Sequence, residues 1–288
     1  MALQDQVILI TGCSSGIGQA LAKELASRGH TVFASARKLD TLAELRGPKL
    51  QGLALDVTDD ASIADAVSQV VAGAGRVDMV INNAGFNPFG PLAEVPLADV
   101  RRLFETNVVG PLALIQAVFP HMAQRRSGRI VNVGSVVGLL PTPFAGPYCA
   151  SKASVHMLSE VLRMEVEPFG VQVIEVQPGA VRSSIADKGS VGIERYQSDA
   201  SRYRAVAGGI EKRAQTSQDR PMETSDFARE VSDALLADTA PRVVRKGRGA
   251  NLYPALSHLP GTARDRFLAK QFGLSGWDGG ANGPRTRR

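Results

Sequence analysis

Six short apolar runs, each of strand length and separated by segments of helix length, constrain the fold of this 288-residue chain more than any other feature. The runs are residues 6–10, 31–36 (TVFASA), 51–55 (QGLAL), 77–82 (VDMVIN), 129–134 (RIVNVG) and 171–177 (VQVIEVQ). Amphipathic segments at 17–28, 40–46, 60–73, 97–124 and 148–167 alternate with them, and a further one at 225–238 has Ser225 in the place of an N-cap. Strands alternating with helices at this spacing predict an α/β fold: a parallel, doubly wound sheet of Rossmann type, in three layers with helices on both faces. Gly29, Gly170 and "QPGA" at 177–180 punctuate the joins, and "PRVVRKG" from Pro241 offers a last strand. One domain is expected over 1–240, with the polar stretch 183–222 as a substrate lid. Residues 241–288 form a basic extension whose last dozen residues are expected to be flexible.

The charge narrows the classes of partner. Residues 241–288 carry ten Lys and Arg against Asp265 and Asp278, a net +8 that leaves −3 of the chain's +5 for the remainder. Nucleic-acid binding has only that charge in its favour and is not expected. "NLYPALSHLPGTARDRFLAKQFGL" reads either as an amphipathic segment resting on an acidic membrane surface or as a cap over the substrate pocket or an oligomer contact. Cys13 and Cys149 cannot build a disulfide framework and read as small fillers beside tight turns. His30, His121, His156 and His258 are scattered without ligand spacing, so no metal is expected and all four read as structural or surface residues. No uninterrupted apolar run suffices to cross a bilayer and no signal-peptide pattern opens the chain, which makes a cytoplasmic location the expectation.

After the first strand comes "TGCSSGIG", residues 11–18. Gly12, Gly16 and Gly18 let the backbone turn tightly and approach a pyrophosphate placed at the positive end of the following helix, so a dinucleotide is expected. The second strand ends "ASARKLD": Ala36 stands where an acid would take the ribose hydroxyls of NAD, and Arg37 and Lys38 follow. Two cations and no carboxylate favour NADP over NAD.

Later strand ends carry polar residues: "INNAG", "ETNVVG" and "IVNVGSVVG". Ser135 follows the fifth strand, Tyr148 comes thirteen residues later, and Lys152 lies one helical turn beyond it on the same face. "TGCSSGIG", "NNAG", the Asn of "NVVG", Ser135, "YCASK" and "PGAVRSS" together resemble the short-chain dehydrogenase/reductase family in order and spacing, from residue 5 to about 185. The resemblance implies that Tyr148 is the general acid for carbonyl reduction or the base for alcohol oxidation. It implies that Lys152 lowers the tyrosine pKa and holds the nicotinamide ribose, that Ser135 binds the substrate oxygen, and that Asn107 supports a proton relay. Thr11, Gly12, Ser14, Ser15, Gly16, Ile17 and Gly18 are implied to hold the phosphates and adenosine ribose, and Asp56 and Val57 the adenine. Asn83, Ala84 and Gly85 are implied on the adenosine side, and Pro178, Gly179, Val181 and Ser183 at the nicotinamide end, with Ser183 where the family usually has threonine. The implied chemistry is physically coherent, because a free phenol titrates near 10 and a fixed ammonium nearby favours the phenolate.

Members that act on hydroxysteroids, retinoids and acyl-dihydroxyacetone phosphates are the ones the chain looks like, which implies a lipophilic carbonyl or alcohol substrate. Phe86, Phe89, Leu139, Leu140, Pro141, Phe144 and Pro147 either line an apolar pocket for it or belong to the core. NADPH is held largely reduced in cells, so reduction is the expected direction. The helices at 97–124 and 148–167 carry apolar residues on more than one face, and the resemblance implies homodimers or homotetramers through them. A non-catalytic, redox-sensing dinucleotide binder is the other class, and the intact Ser135, Tyr148 and Lys152 speak against it.

Overall fold

A computed structural model describes residues 3–183, 185 and 189–279. The expectation for the chain's last dozen residues therefore falls largely outside the described residues. Seven strands form one parallel sheet in the order β3-β2-β1-β4-β5-β6-β7. They are β1 (Val7–Ile10), β2 (Thr31–Ala36), β3 (Leu50–Ala54), β4 (Met79–Asn82), β5 (Gly128–Val133), β6 (Val171–Pro178) and β7 (Val243–Lys246). The order reverses at β1, which pairs with β2 on one side (Leu9 with Phe33) and β4 on the other (Leu9 with Val80). Ligands of open α/β sheets lie at such a reversal, beyond the carboxyl ends of the strands.

Period-two alternation along β1 feeds two cores. Ile8 and Ile10 face a layer made by α1 (Gly16–Ser27) and α7 (Thr224–Leu236), with Leu21, Leu25, Phe227, Val231 and Leu235 fully buried. Val7 and Leu9 face α2 (Asp60–Ala74) and α4 (Gly110–Arg125) through Ile63, Val67, Leu114, Val118 and Met122. Both faces of the sheet are thus apolar, which is why its strands read as unbroken hydrophobic runs.

A third cluster stands on the side of β5 and β6 that carries the polar strand ends. Phe89, Phe144, Cys149, Ile193, Tyr196 and Ile210 meet there with Leu268 and Phe272 of the basic extension. Its elements are α5 (Gly146–Val166), α6 (Ala207–Gln215) in the expected lid, α8 (Leu252–Ser257) and α9 (Gly261–Gln271). The extension therefore packs onto the lid as a cap. Phe144, just before α5, is held at φ 63°, a conformation that costs a bulky residue energy and that the surrounding packing must enforce.

Several boundaries differ from the expectation. Residues 40–46 form only a single 3₁₀ turn, Leu39–Leu42, because Gly47 and Pro48 end the segment and Leu42 and Leu45 find burial against the sheet without a longer helix. α7 begins at Thr224 with Glu223 at the cap position, so Ser225 lies inside the helix, and the Glu223 carboxylate is held by Arg182 at 2.8–3.0 Å. The boundary drawn at 240 falls inside the sheet domain, since β7 pairs with β6 from Glu175 and Val243 onward. The segment 97–124 is one 29-residue helix, α3 (Leu97–Phe104) running through a π-helical turn at Glu105–Val109 into α4. By length and composition it is apolar enough to span a membrane, contrary to the expectation, and Leu114, Val118 and Met122 bury its inner face under the sheet.

Candidate active site

A cleft of about 510 Å³ opens along the carboxyl ends of the strands. At one end Gly12, Ser14, Ser15, Gly16 and Ile17 present the start of α1, whose first turn holds no acidic residue. The helix N-terminus is thus free to face an anion with its amide groups. Gly12 (φ 72°) has no room for a side chain: a Cβ there would stand 2.8 Å from Ala84 Cα. Thr11 fixes this approach, its Oγ1 accepting from the Asn83 and Ala84 amides at 3.0 Å, while Asn83 Nδ2 donates to Thr11 O at 2.9 Å. The end of the fourth strand is thereby tied to the glycine turn.

Arg37, Asp56, Val57, Asn83, Ala84, Gly85, Pro178, Gly179, Val181 and Ser183 also line the cleft. Four expected residues do not. Thr11 and Gly18 lie behind the turn, where a Cβ on Gly18 would come within 2.6 Å of Gly12 O. Lys38 is exposed just past β2 and is not part of the lining. Asn107 is buried in the π-helical turn with its amide spent on protein: Oδ1 accepts from Phe86 N at 3.2 Å, and Nδ2 donates to Phe86 O at 3.1 Å and Ser151 Oγ at 3.3 Å. It clamps the loop after β4 to α5. Leu55, Thr58, Phe86, Arg102, Thr106, Val133 and Gly134 line the cleft without having been singled out as cofactor residues; of the apolar set read as pocket or core, only Phe86 reaches it.

The other end of the cleft holds Ser135, Tyr148 and Lys152 together. The Ser135 side chain favours the ionised form of Tyr148, and Lys152 Nζ donates to Val133 O at 2.7 Å from 5.6 Å above the Tyr148 ring. Lys152 is only 5% exposed, and burial brings its ammonium down to about 8 against the raising influence of Glu175. Burial also pushes the Tyr148 phenol up to about 12; the relief comes from Arg213 and from the Ser135 hydrogen bond. Burial outweighs both, and Lys152 is not among the groups that shift it. Burial raises the Cys13 thiol to about 12, and Cys149 is buried as well.

His156, read from sequence as structural, supports this end from behind. Its Nε2 lies 2.9 Å from Glu175 Oε1 and 3.4 Å from Ser135 N, and Glu175 accepts a bond from Gln177 Nε2 at 2.5 Å. Burial raises the Glu175 carboxyl, but these two hydrogen bonds more than offset it and the group is held below the usual carboxylate value. Gly134 and Gly138, flanking Ser135, are packed so closely on the imidazole that a Cβ on either would approach within 2.5 Å. The turn that carries Ser135 is built around that ring.

A Rossmann sheet whose cleft joins a phosphate-accepting glycine turn to a tyrosine, a serine and a buried lysine defines a nicotinamide-dependent oxidoreductase. The short chain dehydrogenase family matches residues 6–191, and the chain belongs to that family. It is 39% identical over 189 residues to a 3-ketodihydrosphingosine reductase of Bacteroides thetaiotaomicron, covering 66% of this chain and 69% of that one. Over 186 residues it is 38% identical to an NADPH-dependent 1-acyldihydroxyacetone phosphate reductase of Schizosaccharomyces pombe, with 64% and 62% covered. The crystal structure of a short-chain dehydrogenase from Streptomyces avermitilis superposes with a TM-score of 0.76 at 30% identity, over 94% of this chain and 98% of that one. The chain is accordingly an oxidoreductase that interconverts carbonyl and alcohol groups with a nicotinamide cofactor.

Proposed function

We propose that this protein reduces a lipophilic ketone or aldehyde with NADPH, with Tyr148 as the general acid. The observation that carries the reading is the convergence of Ser135, Tyr148 and Lys152 at the end of the cleft opposite the glycine turn. Bound in the cleft, a dihydronicotinamide would supply the hydride. Ser135 Oγ donates to the carbonyl oxygen as charge develops there, and Tyr148 Oη delivers the proton. A phenol held near 12 is protonated at neutral pH, which supports the acid role and therefore reduction. Lys152, protonated below about 8, offers an ammonium to the ribose hydroxyls and a positive field to the tyrosine as it gives up its proton.

Arg37 lines the cleft just past β2, which ends on Ala36 and not on an acid, and supports a 2′-phosphate on the adenosine ribose. Relatives named as reductases of 3-ketodihydrosphingosine and of 1-acyldihydroxyacetone phosphate support a lipophilic ketone, and the second, named as NADPH-dependent, supports the cofactor. Val109 and Leu112 of the long helix and Met157, Leu158, Val161 and Met164 of α5 are exposed, and we assign them to a homo-oligomer contact. A cytoplasmic site of action is proposed on the same footing and tested by cell fractionation. Peripheral membrane contact through α9, where Phe267 is exposed among Arg264, Arg266 and Lys270, is tested by sedimentation with anionic liposomes. The function itself is tested by following NADPH consumption over a panel of lipophilic ketones. No turnover with any of them would favour a non-catalytic, dinucleotide-sensing role.

A further inference from the structure

Two arginines among the described residues are buried to nine-tenths or more, and they are treated differently by the fold. Arg129 spends its guanidinium on backbone carbonyls, Leu235 O at 2.5 Å and Asp238 O at 2.8 Å, with the Asp238 carboxylate near enough to favour its charge. Arg213, on α6 in the lid and 7% exposed, makes one hydrogen bond among the described residues, from Nε to Thr142 Oγ1 at 3.0 Å. Its guanidinium lies over the Phe89 ring at 5.5 Å. Its electrostatic neighbours are Cys149, Tyr253 and Tyr148, and no carboxylate among the described residues pairs with it.

An uncompensated buried guanidinium is expensive, and proteins keep one where another charge arrives to meet it. We propose that Arg213 is the recognition site for an anionic group on the substrate, so that the lipophilic carbonyl compound reduced at Tyr148 carries a carboxylate or a phosphate. The assignment rests on the carbonyl-reductase reading above and sharpens its substrate class. Three features place the site. Arg213 belongs to α6, whose Ile210 and Ala214 share one buried cluster with Phe89 and Cys149, against which Tyr148 of the cleft packs. The Nε bond to Thr142 and the Phe89 ring fix the plane of the fork, leaving its two terminal nitrogens for the paired oxygens of an oxyanion. Phe144, Ile193, Ile210 and Phe272, buried in the same cluster, keep its surroundings apolar, which strengthens any charge pairing there. An anion at Arg213 would also cancel part of the cationic field on Tyr148 and keep the phenol protonated, as its role of acid requires.

The test compares three unreactive probes of equal chain length, dodecanoate, dodecyl phosphate and dodecanol, binding to the NADP-saturated protein by calorimetry. At least one anion is expected to bind about tenfold or more tightly than the alcohol, as a desolvated charge-assisted pair allows, and the better of the two identifies the group. Arg213→Gln is expected to erase that advantage and Arg213→Lys to keep part of it. Dodecanol binding as tightly as both anions, or no binding by any probe, would overturn the assignment, as would a folded Arg213→Gln variant that keeps the preference. If Arg213→Gln fails to fold by circular dichroism, the wild-type comparison and Arg213→Lys decide. NADPH consumption with neutral ketones is measured alongside: turnover there without anion preference removes Arg213's role alone, whereas its complete absence with neutral and anionic ketones removes the reductase reading.

Discussion

Replacing Arg37 with alanine takes away the cation that follows β2 while leaving the strand intact, since Ala36 and not Arg37 packs into the core beside Leu42. Arg37 is exposed, lines the adenosine end of the cleft and makes no ion pair among the described residues, so its loss leaves no buried group without a partner. A hydrogen bond to a charged group contributes about 1.5–3 kcal/mol, and solvent screening at an exposed site favours the lower end of that range. About 1.5 kcal/mol corresponds to a rise of roughly tenfold in the KM for NADPH. NADH lacks the 2′-phosphate and gains no acceptor from Ala36, so its KM is expected to change by less than about twofold. Steady-state kinetics with both cofactors, at low salt and at about 0.5 M, measure the difference; the wild-type preference should narrow at high salt as the exposed pair is screened. An Arg37→Ala enzyme that loses affinity for NADPH and NADH alike, or for neither, would refute the reasoning.

Activity is expected to be level at neutral pH and to fall as the pH rises through about 8, where Lys152 gives up the proton that burial makes it hold weakly. Tyr148, up at about 12, is still protonated there, so a profile that instead falls only above pH 10 would assign the step to the tyrosine. Gly12→Ala is expected to cost cofactor binding and about 1–3 kcal/mol of stability, because φ is 72° and the new Cβ meets Ala84 Cα at 2.8 Å; thermal melts with and without NADPH check both. Paired Met157→Glu and Met164→Glu changes, at positions 67% exposed, are expected to dissociate the homo-oligomer with little change in the stability of the subunit, read by analytical ultracentrifugation.

The parallel sheet was legible because its strands are buried on both faces and appear as uninterrupted apolar runs; 31–36 and β2 share the same limits. Gly12 and Gly16 were legible for a related reason, since only a left-handed backbone and a close approach to the cleft demand glycine there. What sequence reasoning missed depends on partners far along the chain. Arg213 meets Thr142 from 71 positions away, and nothing near "EKRAQT" distinguishes a buried arginine from a solvated one. His156 meets Glu175 only once α5 lies on β6. Asn107 was found by motif, but its burial in the π-helical turn was not, because that turn reflects packing of the long helix against the loop after β4 and α5. The same holds for the tyrosine: spacing places Lys152 beside it, while the direction of its pKa is decided by burial.

Tyr148→Phe, assayed for NADPH-dependent reduction of the best ketone of the panel, isolates the proton donor. Removing the proton donor is expected to lower kcat about 10²–10⁴-fold while leaving the affinity for NADPH within about twofold of the wild type. A Tyr148→Phe enzyme that reduces the ketone within about tenfold of the wild-type rate would contradict the account.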